Sequence, residues 1–237
     1  MNRILITVKE KWPEYLIEAV VIVASIIGAY SLDNWNQNRL DYNRAIDYHR
    51  RIVENLDQLI ELNQMRLNKA KPIFESLVLA IEVLEKGTLN DEDKPSFEYA
   101  IMYYGRYGFL DQRLYVLEEM KSNGDLDLIF NTDLRKELAY FNAKLVSYEE
   151  ILKTINNNIT ENQFYFDQFT RIKMDLESGE AQFNYDFNRM SNSVDFINRF
   201  SRNAHLWKVQ IDFSETYLAD LSRLKGIIQS ELNQLEK

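Results

Sequence analysis

The eighteen residues YLIEAVVIVASIIGAYSL, at positions 15–32, contain a single charged side chain, Glu18. As a helix this segment is about 27 Å long, which is enough to cross a bilayer. Aromatic side chains flank it at both ends, as is typical of helices that stay in a membrane: Trp12, Tyr15, Tyr30 and Trp35. We therefore predict a transmembrane helix over residues 13–32, preceded by an interfacial tail over residues 1–12. The alternatives are a buried core helix and a cleaved signal peptide, but the polar sequence after the run has no small-x-small cleavage site.

Polar and small side chains share one side of this predicted helix. At 100° per residue, Ser25 and Ala29 lie within about 20° of Glu18 on a helical wheel. Ala24 with Gly28, and Ser25 with Ala29, form small-xxx-small pairs that allow two helix backbones to approach closely. The pattern predicts association with another helix, with Glu18 facing the contact or water. The alternatives are a carboxylate that snorkels to the interface and, less favoured, an ion path through Glu18.

Charge gives a weak indication of orientation. Basic residues are nearly balanced across the run: Arg3, Lys9 and Lys11 before it, and Arg39, Arg44, Arg50 and Arg51 after it. The net charge of −9 belongs to residues 33–237, which disfavours a nucleic-acid partner. We expect the short basic tail to stay inside a bacterial inner membrane and the larger acidic domain, residues 33–237, to be periplasmic.

The rest of the chain has the pattern of long helices. Seven Gly and three Pro are few for 237 residues. No Gly or Pro interrupts residues 33–71, where a stripe recurs every three or four residues: Ile46, His49, Val53, Leu56, Ile60, Asn63, Leu67 and Ala70. The transmembrane helix is therefore predicted to run on into a helix of nearly sixty residues that packs against its own chain or a second copy.

Helix-breaking and capping residues predict the remaining boundaries. Pro72 is expected to kink or restart the first helix, Gly87 to be a C-cap and Ser96 an N-cap. A helix over 111–121 is expected to stop at Gly124 and to be followed by a short helical turn over 125–130. Asn131 or Thr132 then caps a long helix bearing Leu134 to Ile159, and a looser stretch after 177–180 leads to a last helix from Ser193 to Leu235. The predicted fold class is all-α, an elongated antiparallel bundle with coiled-coil-like helices, hung from one transmembrane helix.

The sequence contains no recognisable catalytic, cofactor-binding or metal-binding motif. Nucleotide-binding glycine loops, zinc-peptidase motifs and calcium loops are absent, and so is Cys. His49 lies on the apolar stripe, and His205 has no acidic residue at helical spacing. The acidic turn 90–93 lacks the Gly and Glu of an EF-hand. We therefore predict a protein that is not an enzyme and has no cofactor or metal. The aromatic segment 97–109, with Tyr103, Tyr104 and Tyr107, is the one candidate ligand or partner surface, although core packing is the favoured interpretation.

Two stretches resemble a known family when taken together. The run LIEAVVIVASIIGAYSLDNWNQNR places Glu18 before an apolar segment and Asn34, Trp35, Asn36 and Arg39 after it. The run LYVLEEMKSNGDLDLIFNTDLRKELAYFN has an acidic helix, a Ser-x-Gly break, a short apolar helix and Leu-Arg at the start of the next helix. Both are similar to a family of single-pass membrane proteins of Bacteroidota, from which this chain departs at Ala24 and Ser25. The resemblance implies one membrane helix, a helical extramembrane domain and no assigned activity.

The leading functional hypothesis is a membrane-anchored, non-enzymatic interaction or scaffold protein. It would self-associate as a homo-oligomer or serve as an accessory subunit of a membrane complex. A second hypothesis is a sensor or ligand-binding module that signals through the juxtamembrane helix. A third is a small oligomeric pore or ion-coupled subunit that uses Glu18.

Overall fold

The computed structural model describes the backbone of residues 2–105, 113–174, 176–177 and 181–237, and the side chains of these residues apart from 2–11, 172 and 181–183. Within these residues the fold is all-α with one small hairpin, which confirms the predicted class. The helices are α1 (Asn2–Lys86), α2 (Lys94–Tyr103), α3 (Tyr115–Asn123), α4 (Thr132–Phe166), α5 (Phe187–Ser191) and α6 (Val194–Leu235), with a 3-10 turn at Leu126–Leu128. Strands β1 (Thr170–Met174) and β2 (Ala181–Tyr185) form the hairpin.

The first helix, α1, is one continuous element of 85 residues. At 1.5 Å per residue it is about 128 Å long. It begins at Asn2, so Pro13 is inside the helix and not in its first turn. It also continues through Pro72, so the expected separate second helix is wrong. The physical reason is packing: Pro72 is exposed, while the side chains of Ala70 and Ile73 beside it are buried in the bundle and keep both flanks helical.

Ion pairs between exposed side chains show how α6 lies against α1. Lys71 Nζ is 2.7 Å from Glu215 Oε1, and Arg50 is 2.9 Å from Glu236 Oε1. Because positions rise along α1 while they fall along α6, the two helices are antiparallel. Residue 42 of α1 meets the last residue of α6, since the Tyr42 hydroxyl donates to the Leu235 carbonyl at 2.6 Å. The pair α1 and α6 therefore forms the axis of the bundle.

The long helix α4 packs beside α6 and runs in the opposite direction to it. Arg223 is 2.8 Å from Glu137, and further along α4, Lys144 is ion-paired with Asp220. The apolar positions of α4 predicted from spacing, Leu134 to Ile159, are buried as expected. The elongated antiparallel bundle predicted from the sequence is confirmed.

The core has two clusters, one at each end of the bundle. The proximal cluster lies nearer the exposed part of α1 and includes Leu56, Met120, Phe141 and Tyr217. The distal cluster includes Leu77, Phe97, Phe166 and Trp207. Both α1 and α6 contribute to both clusters, so each of these helices runs through the whole length of the core.

Most of the predicted helix ends are confirmed. Gly124 ends α3 with a φ of 76°, a left-handed conformation that glycine adopts without strain. The Asn131 side chain accepts hydrogen bonds from the backbone N–H groups of Asp133 and Leu134, and Ser193 accepts one from Phe196. The predicted cap at Ser96 is wrong, because α2 already begins at Lys94 with a proline in its first turn. The helix expected from residue 111 begins at Tyr115, and residues 111–112 lie outside the described part.

The hairpin is the element that the sequence did not predict. Strands β1 and β2 pair antiparallel on either side of the break predicted at residues 177–180, with Thr170 opposite Tyr185. The Tyr185 ring packs on Phe97 with centroids 5.3 Å apart, and its hydroxyl donates to Glu98 at 3.1 Å. These contacts fix the hairpin at the distal end of the bundle, against α2.

Candidate functional site

The first described part of α1, residues 12–40, is exposed rather than packed in the bundle core. Every described residue from 12 to 40 is exposed, and burial on α1 begins near Ala45. Among the described residues this is the one helix long and apolar enough to cross a membrane, with a mean hydropathy of 2.0 over its most apolar window and none of that window buried. The alternative of a core helix is therefore wrong. The exposed apolar run and the buried residues from Ala45 onward belong to the same helix.

The four predicted anchor residues are all exposed at the ends of the apolar run. Trp12 and Tyr15 lie at one end, and Tyr30 and Trp35 at the other. The axial separation between Trp12 and Trp35 is about 35 Å, close to the thickness of a hydrocarbon core with part of each interface. The Arg39 guanidinium lies 5.5 Å from the centre of the Trp35 ring, which places a cation at the polar end of the run. This spacing is compatible with a helix long enough to cross a bilayer.

The side chains predicted for helix association are open to the surroundings. A Cβ added at Gly28 would meet no described atom within 4 Å. Ala24 lines a shallow apolar depression of about 370 Å³ together with Val20 and Val23. The Ser25 hydroxyl donates to the carbonyl of Val21 at 2.7 Å, so it is satisfied within its own helix. Glu18 and Ala29 are exposed as well. Association through this face stays a prediction.

Polar contacts hold α3 and the 3-10 turn against the first buried turns of α1. We call this set the collar; it consists of Arg44, Tyr48 and Arg51 of α1 with Glu119 and Asp125. Asp125 accepts from Arg44 at 2.5 Å and from the Tyr48 hydroxyl at 2.6 Å. The Tyr48 hydrogen bond and the Arg44 guanidinium hold the pKa of Asp125 below its usual range. The Arg51 guanidinium forms an ion pair with the Glu119 carboxylate of α3. The collar ties α3 and the 3-10 turn to α1 just beyond the exposed segment.

The aromatic segment divides between core and surface. Tyr104 is buried, its ring meets Phe166 edge-on with centroids 4.8 Å apart, and its backbone carbonyl accepts from the Trp207 indole at 2.9 Å. Burial raises the pKa of the Tyr104 hydroxyl. Tyr103 is half-buried and stacks obliquely on Tyr99, with centroids 4.5 Å apart. Tyr107 lies outside the described residues. Of the two described tyrosines, Tyr103 lines a surface cavity and Tyr104 belongs to the core.

That cavity, which we call the distal groove, has a volume of about 430 Å³. Three helices supply its lining residues, which are Arg66, Lys69, Ala70 and Ile73 of α1, Tyr99 and Tyr103 of α2, and Trp207 and Gln210 of α6. The positions from α1 share one face at helical spacing. Sequence reasoning noticed Tyr103 but missed the two cations and the α6 residues, because no local pattern shows which residues of α6 meet this face.

His49 and the acidic turn make local contacts within the fold. His49 is buried, with Nδ1 2.7 Å from the Ala45 carbonyl, whereas His205 is exposed. Asp91 of the acidic turn pairs with Lys94 at 2.5 Å, and the pKa of Asp91 is lowered by it. Within the part of the chain that the structure describes, no group of His, Asp or Glu side chains is arranged to hold a metal ion.

Comparison with known proteins adds no relative. No family model, no curated protein and no solved structure matches this chain. The resemblance to a Bacteroidota membrane family therefore stays a prediction.

Proposed function

We propose that this chain is a single-pass, membrane-anchored interaction protein without enzymatic activity. In this proposal residues 13–32 of α1 cross the bacterial inner membrane and associate with a second copy or with a subunit of a membrane complex. The helical body, residues 33–237, stands on the periplasmic side. The supporting observation is that α1 is exposed along its apolar run, whereas its amphipathic part buries one face in the bundle.

The exposed apolar surface is too large to be left in water. Nine aliphatic side chains between residues 16 and 32 are each more than half exposed: Leu16, Ile17, Val20, Val21, Ile22, Val23, Ile26, Ile27 and Leu32. Burying one such side chain completely is worth roughly 1.5–3 kcal/mol, so covering the exposed halves contributes on the order of 10 kcal/mol. That is comparable with the whole stability of a domain. Lipid tails and a second apolar helix are the surroundings that supply this cover.

Membrane fractionation tests the anchor. After a carbonate wash the protein should remain in the membrane fraction at its full mass of 28.2 kDa. The double substitution Val20→Arg with Val23→Arg places two charges near the centre of the run, an insertion penalty of about 5–7 kcal/mol, and should release the protein. The matched control, Asn36→Arg with Asn38→Arg, adds the same charge beyond the run and should stay in the membrane. A wild-type protein recovered in soluble form, shortened by the apolar run, would show a signal peptide instead.

Protease protection tests the orientation separately. Protease added to intact spheroplasts should digest residues 33–237, because this body is proposed to lie outside the inner membrane. Complete protection of the body would reverse the orientation without affecting the anchor.

Size in mild detergent tests self-association. Ala24→Leu and Gly28→Leu add bulk where close backbone approach is proposed, and each should weaken association by on the order of 1 kcal/mol. Ile26→Leu lies on the opposite side of the helix, conserves volume and should leave the size distribution unchanged. Wild-type size in both small-residue variants would assign the interface to another face.

A further inference from the structure

We infer that Arg39 binds the phosphate of an anionic phospholipid of the anchoring membrane while its guanidinium lies over the Trp35 ring. The inference rests on the proposed anchor, because it requires residues 13–32 to lie in a bilayer. It adds a lipid partner for residues 33–44, the first turns of α1 beyond the apolar run.

Arg39 differs from the three arginines that follow it on α1. Those three are ion-paired with carboxylates of the body, and the pairs are Arg44–Asp125, Arg50–Glu236 and Arg51–Glu119. Arg39 has no ion pair with any residue that the structure describes. Its polar contact is with Asn36, whose Oδ1 atom accepts from Arg39 Nη2 at 3.4 Å. The fold therefore neutralises the cations farther along α1 and leaves the one nearest to the apolar run available for an anion.

The two carboxylates of the same segment lie on other sides of the helix. Asp41 is about 160° from Arg39 around the helix axis. Its side chain accepts hydrogen bonds from Gln37 and Arg44. Asp33 is about 120° from Arg39 and six residues nearer to the apolar run. The side of α1 that carries Arg39 thus presents positive charge to the lipids, although the net charge of the chain is −9.

The Arg39 guanidinium lies at the level expected for lipid headgroups. Along α1, the Cα atom of Trp35 is about 5 Å beyond Leu32 and that of Arg39 is about 10 Å beyond it. Side chains on a helix lean toward its N-terminus, and the guanidinium is 5.5 Å from the centre of the Trp35 ring. The headgroup region is about 5–8 Å thick on each side of the hydrocarbon core. A phospholipid phosphate is therefore within reach of Arg39, whereas Arg50 is about 27 Å beyond the run.

The contacts of the guanidinium leave hydrogen-bond donors for a phosphate. The Trp35 ring holds one face of the group through a cation–π contact, and the N–H donors project from its edges. One donor is used by Asn36. The remaining donors can form parallel hydrogen bonds with two oxygens of one phosphate. An anionic phospholipid fits best, because its headgroup has no ammonium group that would repel Arg39.

Quenching of Trp35 fluorescence by brominated lipids tests the site. The full-length protein with Trp12→Phe and Trp207→Phe has Trp35 as its single tryptophan. This parent protein is reconstituted in vesicles of equal parts phosphatidylglycerol and phosphatidylcholine, with bromine on the acyl chains of one lipid or of the other. Enrichment of phosphatidylglycerol beside Trp35 makes its brominated form the stronger quencher. The phosphatidylglycerol affinity derived from the two quenching curves should be roughly threefold to fivefold that of phosphatidylcholine.

Two arginine substitutions separate a contact at Arg39 from the effect of net charge. Arg39→Gln should remove the preference for phosphatidylglycerol, because the amide cannot form the charged contact with the phosphate. Arg50→Gln removes the same charge from an exposed position farther along α1 and should keep the preference. Inorganic phosphate added at constant ionic strength should also leave the preference unchanged, because the bilayer holds lipid phosphates at a high local concentration.

Four results would overturn the proposal. They are equal quenching by the two brominated lipids in the parent protein, an unchanged preference in Arg39→Gln, an equal loss in Arg50→Gln, and a preference that inorganic phosphate abolishes, which would indicate a site for a soluble anion. Absence of quenching by both lipids would instead show that the apolar run is not in the bilayer, which contradicts the anchor itself. Unchanged far-UV circular dichroism in Arg39→Gln excludes misfolding as the cause of a lost preference.

Discussion

The continuity of α1 and α6 through both clusters predicts that the body unfolds as one unit. Leu56 is fully buried in the proximal cluster, and Trp207 reports on the distal cluster. Truncating a buried leucine to alanine usually costs 2–5 kcal/mol, and a value of about 3 kcal/mol suits a site with no exposure. The free energy of unfolding of a body of this size falls by about 3 kcal/mol per M urea. Leu56→Ala should therefore lower the urea midpoint of unfolding by about 1 M.

Urea titration followed by two probes checks this expectation. Replacing Trp12 and Trp35 with Phe leaves Trp207 as the single tryptophan, so its fluorescence follows the distal cluster while far-UV circular dichroism follows all helices. The two curves should coincide in the parent protein and shift together in Leu56→Ala. The control Leu62→Ala makes the same change at a side chain that is 42% exposed, and it should shift the midpoint by less than half as much. A Trp207 midpoint unchanged by Leu56→Ala, while the dichroism curve moves, would refute cooperative unfolding.

Substitutions at Glu18, Asp125 and Asn131 test the apolar run, the collar and a helix cap. Glu18→Gln should preserve assembly and Glu18→Leu should weaken it modestly, as seen by size in detergent; a conductance in reconstituted bilayers that disappears with Glu18→Gln would favour a pore instead. The folded structure lowers the pKa of Asp125. The stability that the Asp125 carboxylate contributes is therefore complete above its unfolded pKa of about 4 and is lost as the pH falls through the lower folded pKa. Wild type should therefore be more stable than Asp125→Asn at pH 6, by chemical denaturation, with a difference that shrinks below about pH 4. Asn131→Ala should cost about 1 kcal/mol by the same assay, and Thr132→Ala much less, because only the Asn131 side chain accepts the two cap hydrogen bonds; equal costs would contradict the cap.

The elements that the sequence predicts well are those whose signal repeats along the chain. The stripe from Ile46 to Ala70 recurs over seven turns, and each member is buried or half-buried. The last helix is delimited by a serine cap and contributes Leu221, Leu224, Ile228 and Leu232 to the core. A long periodic pattern predicts a helix even where single residues do not fit it. The helix also continues through Pro72, because contacts with the bundle on both sides of this proline keep it intact.

Elements whose position depends on contacts with residues far away in the sequence cannot be predicted from such a pattern. The hairpin strands TRIKM and AQFNY are five residues each, too short for a clear alternating pattern, and their position depends on Tyr185 reaching Phe97 and Glu98 of α2. The distal groove is a similar case. Arg66, Lys69 and Ile73 visibly share a face of α1, but only the antiparallel register of α1 against α6 brings Trp207 and Gln210 to that face.

That register also gives the two ends of the body a physical connection. Both α1 and α6 supply lining residues of the distal groove. The same two helices meet again at the other end, where Tyr42 bonds to the Leu235 carbonyl and the collar begins at Arg44. Nine residues of unbroken helix, 33–41, separate the apolar run from Tyr42, and the axial distance from Leu32 to Tyr42 is about 15 Å. Because the helix is continuous, the direction in which Ala24 and Gly28 face relative to the body depends on how α1 is held in the bundle.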